Sequence, residues 1–173
     1  MLDVFIGQHE NKIDGKARLS IPSQFRKIIE SGDTDREAGS LPNFVLIFGD
    51  ERTDYLEGLT IKQYNKMTRK LRKMDKGDPR RQQMELILYS LAQLMTLDET
   101  GRIVMPPKGR AKLALNANDM VEFTGAGDSF RVKKAAGEAE RQAERPAAKP
   151  DIGYHPDTNP MDYFSGDDED DED

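Results

Sequence analysis

Two arginines in this chain stand four residues after an aspartate, in two copies of one frame. Asp14 and Arg18 lie in "IDGKARLSIPSQFR" (13–26), and Asp98 and Arg102 lie in "LDETGRIVMPPKGR" (97–110), 84 residues further on. Pro22 and Arg26 in the first copy match Pro106 and Arg110 in the second. Arginine offers a planar fork of donors that suits a phosphate, or the O6 and N7 edge of guanine. Lys16, inside the first frame, would act as a point charge on a phosphate. The aspartates repel phosphate, so they are expected to orient the arginines. The competing reading is that each Arg pairs with its Asp and only braces a turn. Arg26 and Arg110 could touch a ligand or a neighbouring subunit, and a structural ion pair at a helix is the expectation.

The frames need elements to hold them. Ile13 to Lys16 is a turn signal between two extended stretches. Leu19 and Ile21 alternate with Ser20 as in a half-buried strand, and Pro22 suits the first turn of a helix whose apolar face is Phe25, Ile28 and Ile29. "FVLIFG" (44–49) reads as a buried strand, and "SGDTDREAGSLPN" (31–43) as an exposed loop. Ile61, Tyr64, Met67, Leu71 and Met74 recur at helical spacing. Asp78 can cap a second helix that Pro79 opens, with a stripe of Met84, Ile87, Leu88, Leu91 and Leu94 or Met95. The second copy then repeats turn, strand and short helix, with Gly101 suited to positive φ. Strands at 120–124 and 129–133 flank "GAGDS", a hairpin turn rather than a phosphate loop, because no helix and no Lys-Ser/Thr follow it. The division expected is 5–59 and 96–134 as two similar modules, 60–95 as a helical hairpin between them, and 135–173 as a disordered acidic tail with room for a short helix at 134–145. A module of two hairpins and one helix has too few apolar residues for its own core. Two of them can complete one barrel by sharing strands.

Charge separates body from tail. Residues 134–173 hold 4 basic and 13 acidic side chains, whereas 1–133 hold 22 and 19. The tail is expected to solubilise, or to compete with nucleic acid for the basic body. Lys62, Lys66, Arg69, Lys70 and Lys73 follow helical spacing. They could meet phosphates or an acidic surface on another subunit, but a solvated face is the simpler expectation. The chain has no cysteine, hence no disulfide framework or thiolate chemistry. His9 and His155 are far apart in sequence, and no catalytic triad or metal-ligand cluster is apparent. We therefore expect no enzyme, cofactor, metal or small-molecule substrate. No apolar run is long enough to span a bilayer, and "MLDVFIGQHENK" does not read as a secretory signal. A cytoplasmic location without membrane association is expected.

"FIG", "IDGKARLSIPSQFR", "LDETGRIVMPP" and "MVEFTGAGDSFRV" resemble the MraZ family of bacterial transcriptional regulators over about residues 5–134. The resemblance implies an α+β, mainly β fold. In it, two tandem pseudo-symmetric SpoVT-AbrB modules form an AbrB-like swapped-hairpin β-barrel with an inserted helical hairpin. It implies a nucleoid-associated homo-oligomer, assembled as a ring, that binds repeated double-stranded DNA operators upstream of a division and cell-wall gene cluster and represses it. Its DNA-binding residues would be Asp14, Lys16, Arg18, Asp98 and Arg102. This chain departs from the family pattern at Ala17, where glycine is usual, and at Thr100, where lysine is common. It also has Ile6 in place of an early arginine. Two other classes stay open: an antitoxin-like protein-interaction module, and an architectural protein that binds all DNA alike with steep salt dependence.

Overall fold

The computed structural model describes residues 2–143, 159 and 161. Residues 1–135 and 136–173 cluster separately. In the first unit, the strands are β1 (Gln8–Lys12), β2 (Arg18–Ser20), β3 (Asn43–Ile47), β4 (Leu56–Thr60), β5 (Ala92–Thr96), β6 (Arg102–Val104), β7 (Met120–Gly125) and β8 (Ser129–Lys134). The helices are α1 (Ser23–Ser31), α2 (Ile61–Arg72), α3 (Pro79–Glu85), continued by a π-helical turn at Leu86–Ser90, and α4 (Pro107–Leu113). The fold is α+β and mainly β. The described part of the second unit is α5 (Glu138–Ala143), together with Asn159, whose Oδ1 accepts from the Met161 N–H at 3.1 Å. The expected acidic tail, including His155, otherwise lies outside the described residues.

Strand order answers why the frame occurs twice. Six antiparallel strands run β1-β7-β8-β4-β3-β5, and β2 pairs with β6 in a separate two-stranded ribbon. Exchanging β1 with β5, β7 with β3 and β8 with β4 reverses the order and leaves it unchanged. A pseudo-two-fold axis therefore passes between β4 and β8, and through the middle of the ribbon. Each half gives an edge strand to the other: β1 pairs with β7, and β5 pairs with β3. With the other removed, each half keeps only one paired hairpin, β3–β4 or β7–β8.

The core follows from alternation along the strands. On one sheet face, Phe44, Leu46, Leu56, Val121, Phe123, Phe130 and Val132 bury against Leu19 and Ile103 of the ribbon and Phe25 and Ile29 of α1. Phe130 lies at the junction of the halves. Its ring centroid is 5.0 Å from that of Phe5, 5.2 Å from Phe25 and 5.9 Å from Phe44. Gly58 stands opposite it on β4, and a Cβ at Gly58 would fall 2.6 Å from Phe130 Cε2. That ring occupies the space a side chain would need.

On the other face, Val45, Ile47 and Leu59 bury against Leu71 of α2 and Leu88 of the π-helical turn, with Tyr64, Met67 and Met84 packed around them. This explains the unbroken apolar run in β3: both of its faces are covered. Thr60 caps α2 by accepting from the Gln63 N–H at 3.1 Å, and Asp78 caps α3 by accepting from the Arg80 N–H at 2.9 Å. The Tyr64 hydroxyl donates to the Leu88 carbonyl at 2.7 Å, tying α2 to the π-helical turn.

Two local expectations change. The second helical stripe was expected to reach Leu94 or Met95, but helical backbone ends at Ser90 and residues 92–96 form β5. Pairing with β3 satisfies that backbone and turns Met95 into the main core. The 31–43 loop is exposed at its tip but anchored at its base. Asp33 is buried, and its Oδ2 accepts from the Asn43 backbone N–H at 2.8 Å and from Asn43 Nδ2 at 3.1 Å.

Candidate nucleic-acid interface

Each Asp-x-x-x-Arg frame folds into one tight turn, and its aspartate organises it. Asp14 Oδ1 accepts from the backbone N–H groups of Lys16 and Arg18, both at 2.9 Å. Asp98 Oδ1 accepts from those of Thr100 at 2.8 Å and Arg102 at 2.9 Å. The fourth residue of each turn takes left-handed backbone: Gly101 has φ 77°, and Ala17 reaches φ 60° without being glycine. An alanine there costs about 1 kcal/mol or somewhat more. The turn survives the departure from glycine because its hydrogen bonds and the burial of Ala17 hold it.

The two turns hold their arginines differently. Arg18 Nε donates directly to Asp14 Oδ2 at 2.7 Å. In the second turn Thr100 intervenes: Arg102 Nε donates to Thr100 Oγ1 at 2.9 Å, Thr100 Oγ1 donates to Asp98 Oδ1 at 2.8 Å, and the Arg102–Asp98 ion pair opens to 3.4 Å. In both turns Nε is the anchored nitrogen, so the Nη edge of the guanidinium is left to meet a ligand. The side chains of Arg18 and Arg102 remain 41% and 37% exposed. The carboxylates stay ionised well below neutrality. The Arg18 backbone N–H and then its side chain lower Asp14. The Arg102 backbone N–H, then the Thr100 hydroxyl, hold Asp98 down at about 2.

The ribbon brings the two frames together. Arg18 pairs with Val104, Leu19 with Ile103, and Ser20 with Arg102. Leu19 and Ile103 point into the core, so Arg18, Ser20, Arg102 and Val104 share the outward face. Strand rise and spacing put the Arg18 and Arg102 Cα atoms about 8–9 Å apart on the diagonal. Val104, 61% exposed, contributes apolar surface beside them. Lys16 lies exposed in the first turn.

Arg26 corrects an expectation. It was expected to make a structural ion pair, but its Nη1 donates to the Thr100 carbonyl of the other half's turn at 3.0 Å. Its side chain also lies over Gly101, where a Cβ would come within 2.7 Å of Arg26 Cζ. Among the described residues, Arg110 likewise makes no ion pair, and its Nε is buried without a hydrogen-bond partner. Sequence reasoning placed Thr100 within the second turn but did not foresee its hydroxyl bridging Arg102 to Asp98, and it missed Arg26 as part of that turn. The crossing of Arg26 between halves left no local signal.

The fold and these turns define a class: an α+β protein of two interleaved halves that presents a matched pair of aspartate-organised arginines. No protein-family model matches the chain. It is 39% identical over 140 residues to the transcriptional regulator MraZ of Cereibacter sphaeroides, covering 78% of this chain and 82% of that one. It is 34% identical over 163 residues to that of Ruegeria pomeroyi, covering 94% and 95%. A third relative, from Gluconobacter oxydans, is 30% identical over 149 residues, 86% of this chain and 87% of its own. The chain belongs to the MraZ family of transcriptional regulators. Among the described residues no helix is long and apolar enough to cross a membrane.

Proposed function

We propose that the outward face of the β2–β6 ribbon is the sequence-reading DNA surface of a transcriptional regulator. One observation carries this: the cross-half ribbon sets Arg18 and Arg102 on a single exposed face, each with Nε anchored and its Nη edge free. A two-stranded ribbon fits the major groove, where a bidentate Arg–guanine contact discriminates by about 1–3 kcal/mol. Lys16 supplies phosphate contact, and Asp14 and Asp98 act as orienters. Two pseudo-equivalent turns per chain, multiplied in a homo-oligomeric ring, grip repeated operators by raising the effective concentration at each next site. The family resemblance supports the finer reading. In that reading the swapped strands close an AbrB-like barrel made of modules 5–59 and 96–134 joined by the 60–95 insertion. The protein then represses its own division and cell-wall gene cluster in the cytoplasmic nucleoid.

The test is fluorescence anisotropy with DNA from upstream of the chain's own gene and with a shuffled duplex of equal length, at two salt concentrations. A specific regulator prefers the upstream DNA by roughly 10³-fold or more. Arg18→Ala and Arg102→Ala should each weaken that binding by about 5- to 150-fold, the equivalent of one lost bidentate contact. Equal binding to both duplexes by the wild type, or arginine variants that bind as the wild type does, would refute the reading.

A further inference from the structure

Positive charge on the body is concentrated away from the ribbon. Residues 61–76 hold seven basic side chains and one acid, Asp75. The rest of 1–133 then holds 15 basic and 18 acidic side chains, so this one segment accounts for all of the body's positive excess. Lys62, Lys66, Arg69, Lys70 and Lys73 are exposed, on the side of α2 opposite Tyr64, Met67 and Leu71, which pack inward. Among the described residues none of the five forms a salt bridge. α2 packs against Val45 and Ile47, whereas the ribbon packs on the sheet face of Phe44 and Leu46. The stripe and the arginine turns therefore lie on opposite sides of the sheet, and one straight duplex seated on the ribbon does not reach the stripe.

We propose that the α2 stripe is a second, sequence-independent surface for duplex DNA. From Lys62 to Lys73 it runs about 16 Å at 1.5 Å per residue, about half a 34 Å turn of duplex, so it can lie along several phosphates at once. Five free cations with Asn65 and Gln63 as polar neighbours suit a phosphate backbone. An acidic protein segment is a poorer fit, since protein interfaces are centred on apolar or aromatic anchors and the stripe has none. The stripe would hold a second duplex segment, or a returning part of the same one, while the ribbon reads the operator.

The experiment uses the full chain carrying Arg18→Ala and Arg102→Ala, titrated with a random-sequence duplex at several salt concentrations. Binding should persist, with log K falling against log[salt] at a slope of up to about −4.5, since each of five contacted phosphates contributes about −0.9. Adding Lys62→Gln, Lys66→Gln, Arg69→Gln, Lys70→Gln and Lys73→Gln should lower affinity at least tenfold and flatten that slope. Replacing the four lysines with arginine should preserve binding, which separates lost charge from a damaged helix. The proposal is overturned if the double arginine variant binds no random duplex. It is also overturned if the glutamine set leaves duplex binding unchanged, including the case where that set abolishes binding of poly-glutamate instead. The ribbon reading stands or falls separately, on whether Arg18→Ala and Arg102→Ala weaken operator binding.

Discussion

Gly58→Ala tests whether the two halves share one core. A strand glycine that does not need left-handed backbone usually gains about 0.5–1 kcal/mol on replacement by alanine, because the unfolded chain loses freedom. Gly58 has no positive φ, so that gain would be the default. The structure reverses the sign. The new Cβ would lie 2.6 Å from Phe130 Cε2 and closer still to Cε1 and Cζ, so the ring must retreat by about 1.4 Å at its nearest atom to reach the ordinary 3.5 Å contact. Phe130 is fully buried among Phe5, Phe25, Phe44 and Phe123 and has nowhere to go without moving them. Overpacking of this kind costs about 1–3 kcal/mol, leaving a net loss of about 1–2 kcal/mol. For a body of this size that is a fall in Tm of roughly 3–7 °C, read by circular dichroism or calorimetry. Phe130→Leu in the Gly58→Ala background should recover part of the loss, a coupling of about 0.5 kcal/mol or more. An unchanged or raised Tm for Gly58→Ala, or strictly additive effects, would refute the shared-core argument.

Three further outcomes are expected. Tyr64→Phe removes the 2.7 Å bond to the Leu88 carbonyl and should cost about 1 kcal/mol, visible as a Tm a few degrees lower with DNA affinity unchanged. Thr100→Ala removes the hydroxyl that holds Arg102 Nε. It should weaken operator binding by about two- to fivefold, the effect of freeing one side chain, while thermal stability stays close to that of the wild type. The Asp98 carboxyl, held down at about 2 by the Arg102 N–H and the Thr100 hydroxyl, should titrate there by carbon-detected NMR. Because its folded pKa lies below the ordinary 3.8, its stabilising contribution is complete above about pH 4 and lost as pH falls toward 2. Asp98→Asn should therefore flatten the stability profile in that window.

What the residues determined by themselves was mostly local. The turn signals at Ile13–Lys16 and Asp98–Gly101 placed one turn in each frame, and both copies form it with matching hydrogen bonds from the aspartate. Asp78 before Pro79 specifies a helix start, because a carboxylate accepts from the first free N–H groups and proline has none to lose. The 84-residue repeat and the poor apolar content of each copy pointed to halves that must combine. Everything that depends on which segments meet was left to the tertiary structure. The stretch from Leu91 to Leu97 carries apolar residues at both helical and alternate spacing, so only the open edge of β3 made residues 92–96 a strand. Arg26 has Glu30 four residues on along α1 as an acidic alternative. The cross-half ribbon instead placed the Thr100 carbonyl and the bare face of Gly101 beneath it. The same pairing set Arg18 and Arg102 on one face, while packing of α2 on Val45, Ile47 and Leu59 put its cations on the other side of the sheet. Spacing along a chain encodes the shape of a turn or helix, but the relation between two distant turns comes from the strand pairs that join them.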